Sequence, residues 1–264
     1  MQLTSDDAQI FYEAQGSGPF LVLLHPYPTN HRFWQPLTGS LTQNYRVIVP
    51  DLRAHGASTT GAGPATMQKH AADLVGLCDR ENIKQAIFFG VSIGGYILFE
   101  FWRRHRERVR ALVLCDTKAQ ADTSEARASR LNLAAQVENE GPDSYLDGMV
   151  SKLLGESTRR NRPDLTQQSH SMMGEMKVAG IAATLRGMAA RHDSASILSS
   201  INVPTLVMAG EEDTLTPPAD AELIHKGIKG SQFVRVPAAG HYAPFEQPKI
   251  VSDVLLKFLQ RLAE

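Results

Sequence analysis

The residue of this chain best placed to act as a nucleophile is Ser92, which lies in Gly90-Val91-Ser92-Ile93-Gly94-Gly95. The apolar run Ala86-Ile87-Phe88-Phe89 leads into it, and an apolar helical run from Ile93 leads out. That is the pattern of a sharp strand-to-helix turn, in which side chains two before and two after the serine would meet neighbouring backbone. The hydroxyl then protrudes at a helix N-terminus, where free N–H groups and the helix dipole favour developing negative charge. Gly-x-Ser-x-Gly also occurs in ordinary loops, so its weight depends on partners. A serine hydroxyl is a weak nucleophile at neutral pH and needs a base, and the base needs a group to orient it.

Candidates for both follow later in the chain. The run 205–209 leads into Gly210-Glu211-Glu212-Asp213-Thr214-Leu215-Thr216-Pro217-Pro218. An acid just past the end of a parallel strand lies in the crevice where open α/β sheets place their chemistry, and by position Glu211, Glu212 and Asp213 all qualify. After the run 232–236 comes Pro237-Ala238-Ala239-Gly240-His241-Tyr242-Ala243-Pro244-Phe245-Glu246-Gln247-Pro248. Of the nine histidines, His241 stands apart because it follows both the serine and the acid, at the next strand end. His31, His70, His105, His170, His192 and His225 have no partner in their surrounding sequence and read as ordinary residues. Acyl transfer also needs fixed donors for an oxyanion. One is the backbone N–H of Ile93; the other belongs to His25-Pro26-Tyr27-Pro28, where prolines carry no N–H and Tyr27 is the donor between them.

The elements that must hold these residues alternate. Short runs rich in Val, Ile, Leu and Phe occur at 10–14, 20–24, 46–49, 86–89, 111–115, 205–209 and 232–236, with helix-like segments between them from residue 20 onward. Continuous apolar strands alternating with amphipathic helices imply a parallel sheet covered on both faces. Val251, Val254, Leu255, Phe258, Leu259 and Leu262 keep one apolar face of a last helix that Pro248 suits as a first-turn residue. The alternation breaks between Thr117 and Ser196. There Asp122 with Glu125 predicts a helix ended by Gly141, Pro142 opens another that closes at Gly155, and Met172, Met173, Met176 and Met188 follow. This reads as a helical insertion lying over the strand ends.

Composition bounds the rest. The chain has 264 residues, 42% of them hydrophobic, enough for one large core with an insertion. A net charge of −1 gives no global field for nucleic acid or anionic membrane. The arginines at 103, 104, 106, 108 and 110 complement a helix C-terminus and read as a solvated face. Cys78 and Cys115 show neither metal spacing nor a disulfide framework, which fits a reducing compartment. With no signal-like N-terminus and no apolar run near the ~20 residues of a bilayer span, the expectation is a cytoplasmic protein with a small-molecule substrate. Homo-oligomerisation stays open.

Taken together, His25-Pro26-Tyr27-Pro28 with Trp34, Pro50-Asp51-Leu52-Arg53-Ala54-His55-Gly56-Ala57-Ser58, the serine turn, the acidic segment and the His241 segment resemble the α/β-hydrolase superfamily over essentially the whole chain. The resemblance implies a mostly parallel eight-stranded sheet flanked by helices, with a core from 1–117 and 197–264 and a helical cap at 118–196. It selects Asp213 through the Gly-x-x-Asp pattern followed by Thr-Pro-Pro, and implies structural roles for His25 and Asp51. Asp116 is the fallback acid, since some relatives use that strand end. Two residues depart from the family pattern: Pro26 and Ala54 stand where glycine is usual. Val113-Leu114-Cys115-Asp116-Thr117-Lys118-Ala119 and Ala121-Asp122-Thr123 further resemble the 3-oxoadipate (β-ketoadipate) enol-lactonase group and its esterase relatives.

The resemblance implies hydrolysis of a carboxylic ester or lactone by Ser92, His241 and Asp213, with Tyr27 and Ile93 as the oxyanion hole and no metal or organic cofactor. A lactone of that group carries a carboxylate, so one of Arg127, Arg130, Arg159, Arg160, Arg162, Arg186 and Arg191, or a lysine, should face the pocket. Carbon–carbon bond hydrolases of ring-cleavage diketones, cofactor-free haloperoxidases or perhydrolases, and hydrolase-like ligand receptors share these residues. Serine at the turn argues against epoxide hydrolases and haloalkane dehalogenases, which place aspartate there.

Overall fold

The computed structural model describes residues 1–262. Eight strands form one sheet: β1 Gln2–Ser5, β2 Ala8–Gln15, β3 Phe20–Leu24, β4 Arg46–Pro50, β5 Ala86–Val91, β6 Val109–Cys115, β7 Thr205–Gly210 and β8 Gln232–Val236. Their spatial order is β1-β2-β4-β3-β5-β6-β7-β8. The first two pairings are antiparallel and the others parallel. β5 and β7 are buried at every residue, as strands covered on both faces must be. β1 is absent from the seven apolar runs of the sequence because it is a short edge strand alternating exposed and buried residues.

The helices are α1 Gln35–Leu41, α2 Met67–Arg80, α3 Ile93–His105, α4 Ser124–Glu140, α5 Asp143–Leu153, α6 Glu156–Asn161, α7 Pro163–Met173, α8 Val178–Ala189, α9 Pro218–Gly227, α10 Ala243–Glu246 and α11 Pro248–Gln260. α1 packs on α11 and α2 on α3, which right-handed crossovers place on opposite faces of the sheet. Helices α4 to α8 all fall between β6 and β7, and α4 packs along α8. No helix of the described residues is long and apolar enough to cross a membrane.

Two helix ends differ from the sequence reading. Thr123, not Asp122, caps α4, accepting a hydrogen bond from the Ala126 N–H at 3.2 Å, because Asp122 is drawn into ion pairs with Arg130 and Arg191. α5 ends at Leu153, and Gly155 instead caps the start of α6.

Register brings the chemistry together. Leu24 pairs with Gly90, Val91 with Cys115, Cys115 with Met208 and Gly210 with Val236, so the strands end nearly level. The order reverses at β3, between β4 and β5, and this is the switch point at which open α/β sheets form their crevice. Beneath it, Phe33 packs edge-on to Trp34 and Tyr242 and stacks on Phe245, joining the segment after β3 to the one after β8.

The antiparallel edge is held by a buried ion pair. The fully buried Arg53 side chain donates to Asp73 at 3.0 and 2.7 Å, to Asp7 at 2.5 Å and to the Ser5 carbonyl at 3.2 Å, tying β1 and its turn to α2. Removing one partner strands the other charge without water, a loss of about 3–5 kcal/mol. Arg53→Ala is therefore expected to lower the unfolding free energy in urea by about that amount, and Arg53→Met with Asp73→Leu to recover most of it.

Candidate active site

Ser92 occupies the turn between β5 and α3 with φ 54° and ψ −113°, a conformation rarely taken by a residue with a side chain. The turn closes because Gly90 and Gly94 touch: a Cβ on Gly90 would lie 2.5 Å from the Gly94 carbonyl carbon. The Ser92 N–H donates to the Cys115 carbonyl at 3.1 Å, and the Ser92 carbonyl accepts from Thr117 Oγ1 at 2.8 Å. Both ends of the strained residue are thus fastened to the segment leaving β6. The side chain lines a cavity of about 470 Å³ together with Tyr27, Tyr96, Arg130, Tyr145 and His241, among others.

His241 and Asp213 meet in the adjoining wall. His241 Nδ1 donates to Asp213 Oδ2 at 2.8 Å, and Thr216 Oγ1 donates to the same oxygen at 2.7 Å. Asp213 Oδ1 accepts the N–H groups of Leu215 and Thr216 at 2.8 and 3.0 Å. Burial by itself would raise the Asp213 carboxyl, but the His241 charge and these hydrogen bonds hold it below the ordinary carboxylate value. Burial would lower His241, yet Asp213 chiefly, with Asp116 and Glu246, raises it. With Nδ1 engaged, Nε2 is the nitrogen free to exchange a proton.

The other acids lie elsewhere. Glu211 is exposed, and Glu212 reaches across to α6, accepting from the Ser157 N–H at 2.8 Å and from its hydroxyl. Asp116 is buried and close enough to act on the charge of His241 but makes no hydrogen bond to it. Its carboxyl accepts from the N–H groups of Gly210 at 2.7 Å and Ala243 at 3.2 Å and from Cys115 Sγ at 3.1 Å. Desolvation, with the nearby Asp213, pushes it up to about 8. The sequence reading used Thr216 only as part of the Thr-Pro-Pro pattern; its hydrogen bond to Asp213 comes from the turn in which the aspartate accepts backbone N–H groups two and three residues on.

The N–H groups of Tyr27 and Ile93 make no hydrogen bonds among the described residues. Ile93 begins α3 directly after Ser92, and Tyr27 lines the same cavity as Ser92. The Tyr27 turn is rigid because three groups converge on the Pro26 carbonyl, namely the Thr29 N–H at 3.1 Å, Thr29 Oγ1 at 2.7 Å and His25 Nδ1 at 2.9 Å. His25 Nε2 in turn accepts the Leu52 N–H at 3.0 Å, which fixes the tautomer and staples the loop after β3 to that after β4. His31, read as unpartnered, donates from Nδ1 to Asp51 Oδ1 at 2.8 Å. The partner lies 20 residues away and left no local trace.

Of the arginines in 118–196, Arg130 lines the cavity, with Lys118 and Lys152. Arg130 Nε donates to Asp122 at 2.7 Å, and Nη2 makes no hydrogen bond among the described residues. Arg191 lies behind, its guanidinium 4.4 Å from the centre of the Tyr96 ring. Arg127, Arg159, Arg160, Arg162 and Arg186 are not among the cavity residues. No group of three or more His, Cys, Asp or Glu residues among those described could hold a metal ion.

Comparison with known proteins gives the family of the chain. Residues 19–248 fit the family model described as alpha/beta hydrolase fold, and the chain belongs to that family. Among solved structures it is similar to a thermophilic esterase from Thermogutta terrifontis, at 36% identity and a TM-score of 0.96 over 99% of this chain and 98% of the esterase. It is also similar to the enol-lactonase from Burkholderia xenovorans LB400, at 25% identity and a TM-score of 0.92 over 98% and 100% of the two chains. In sequence it is 26% identical to 3-oxoadipate enol-lactonase 1 of Acinetobacter baylyi over 93% of this chain and 90% of the lactonase.

Three buried histidines, His25 after β3, His55 after β4 and His70 in α2, share one electrostatic consequence. Burial drives His25 down to about 3, His55 to about 4 and His70 well below its ordinary value. An unfolded histidine titrates near ~6.5, so below that pH the unfolded chain binds protons that the folded chain refuses. Their stabilisation is complete above ~6.5 and is lost as pH falls toward the depressed values. His31 and His241, both raised, lose their contribution as pH rises above ~6.5 and do not offset the fall. Urea titrations from pH 7 to 4.5 are expected to show the three histidines taking up as many as three protons on unfolding against one released by Asp116, whose folded carboxyl is pushed up to about 8, a net uptake of up to about two. A flat stability profile over that range would contradict their burial as neutral rings.

Proposed function

We propose that this chain hydrolyses a carboxylic ester or lactone of a small molecule, with Ser92 as nucleophile, His241 as general base and Asp213 as the group orienting it. The observation that carries the reading is the Asp213–His241 hydrogen bond of 2.8 Å in the wall of the cavity that Ser92 lines. Ester and lactone hydrolysis is also the activity that the names of the esterase and the lactonases share.

Ser92 Oγ attacks the carbonyl carbon while His241 Nε2 takes its proton. The tetrahedral oxyanion rests on the unused N–H groups of Tyr27 and Ile93. As it collapses the carbon–oxygen bond breaks, the leaving alkoxide takes the proton from His241, and an acyl group remains on Ser92. In a lactone the new hydroxyl stays tethered to that acyl group. Water then attacks the acyl carbon, gives a proton to His241, and Ser92 Oγ departs with it. Asp213 holds the imidazole in the Nδ1–H form and stabilises its protonated state without taking the proton. Helices α4 to α8, within 118–196, serve as a cap over this site.

The substrate carries an acidic group at the end distant from the scissile bond. Arg130, Lys118 and Lys152 line the cavity, and the nearby Asp122 is shared by Arg130 at 2.7 Å and Arg191 at 2.8 Å. The excess of positive charge favours an anion in that space.

Ser92→Ala is expected to abolish p-nitrophenyl acetate turnover, and Asp213→Asn to lower kcat by on the order of 10⁴-fold. Full activity in Asp213→Asn with loss in Asp116→Asn would transfer the orienting role to Asp116. For the acidic end, Arg130→Met should raise KM for a dicarboxylate half-ester by about 10- to 100-fold while leaving KM for p-nitrophenyl acetate in place. Equal changes for both substrates would remove Arg130 from substrate recognition.

A further inference from the structure

Glu246 is a buried carboxylate that the proposed mechanism does not use. It closes the short helix α10, five residues after His241, and is 4% exposed. One oxygen, Oε1, accepts the N–H of Gly240 at 2.8 Å and of Tyr242 at 3.2 Å, the residues on either side of His241. The other, Oε2, accepts the N–H of Gly155 at 2.8 Å, which caps the start of α6, 91 positions away. The backbones are in direct contact at this point: a Cβ on Gly240 would lie 2.3 Å from the Gly155 nitrogen, and one on Gly210 would lie 2.1 Å from the Gly240 oxygen. The acid loop, the histidine loop and the start of α6 therefore meet on one small patch of bare backbone, with Glu246 at its centre.

We propose that Glu246 is a positioning residue for His241, gripping the histidine loop on both sides and fastening it to the start of α6. The inference rests on the reading of His241 as the base. Burial raises the Glu246 carboxyl above its ordinary value, and the three N–H donors oppose that by favouring the ionised acceptor; no neutral side chain of the same shape offers acceptors at both ends. The titratable groups that act on His241 are Asp213 after β7, Asp116 after β6 and Glu246 in α10. Of these, Glu246 alone bonds to the backbone on both sides of the histidine.

The test compares wild type, Glu246→Gln and Glu246→Asp, with active sites counted by a fluorophosphonate so that rates refer to folded protein. The kcat/KM for p-nitrophenyl acetate is then followed across pH. Glu246→Gln keeps one acceptor, turns an NH₂ toward a donor and removes a charge. It is expected to lower kcat/KM per titrated site on the order of 10- to 100-fold and to move the acid limb to lower pH, since loss of a negative charge makes the imidazolium less stable. Glu246→Asp keeps the charge but shortens the reach, so its acid limb stays with wild type while its kcat/KM falls by a smaller factor. A purely structural role would reduce the number of titrated sites and leave both the rate per site and the acid limb unchanged, and that result in Glu246→Gln overturns the proposal. Should Glu246→Gln yield no folded protein, a wild-type rate per site in Glu246→Asp overturns it equally. Failure of the underlying reading is visible separately, as wild-type turnover in His241→Ala.

Discussion

The structure is organised around one strained residue. Ser92 sits at φ 54° and ψ −113°, a backbone state that costs about 1–3 kcal/mol and persists only where the surroundings over-determine it. Here the surroundings are the contact of Gly90 with Gly94, the Cys115 carbonyl on one side of the residue and the Thr117 hydroxyl on the other. Those fastenings demand that β5 and β6 end level, which their register provides. The same levelling through β7 and β8 delivers the Asp213 and His241 loops to one place. The sheet is thus the means by which a local distortion at one strand end is matched by side chains from two others.

What surrounds that residue is graded in polarity. The three buried histidines are kept neutral by burial, and one of them, His25, works as a hydrogen-bonded staple. Beside His241, Asp213 is held charged by its partners while Asp116, similarly buried, is pushed the other way. Two carboxyl groups within a few residues of strand ends therefore take opposite protonation tendencies, because only one of them bonds to the imidazole. Above the site, the cavity walls from α4 and α5 carry Arg130 and Lys152.

The legible parts of the sequence were those in which a local conformation restricts residue type. A serine in a left-handed turn requires small neighbours, so Gly90, Gly94 and Gly95 announced it. The apolar runs announced seven strands, five of them, β3 to β7, buried at nearly every residue because a strand covered on both faces has little room for polar side chains. Contacts between distant segments left no such mark. Thr123 displaced Asp122 as a helix cap because two arginines, one 69 positions away, claimed the aspartate. The pairing of His31 with Asp51 and the grip of Glu246 on Gly155 are equally nonlocal. Among seven arginines, Arg130 could be singled out only once α4 was laid over the strand ends.

The bare-backbone patch where Gly155, Gly210 and Gly240 meet bears on how such a chain can diversify. A Cβ at any of the three would lie under 3.0 Å from backbone of a facing segment, 2.8 Å at Gly155, 2.1 Å at Gly210 and 2.3 Å at Gly240, so the join between the helices over the cavity and the loops beneath it admits almost no drift. Residues that face the cavity from α4 and α5, such as Ser129, Leu133, Tyr145 and Met149, meet no such restriction. Change of substrate, whether by natural divergence or by laboratory selection, is accordingly channelled into the walls and away from the seam. A library built on those wall positions would sample new pockets while the reacting groups keep their alignment.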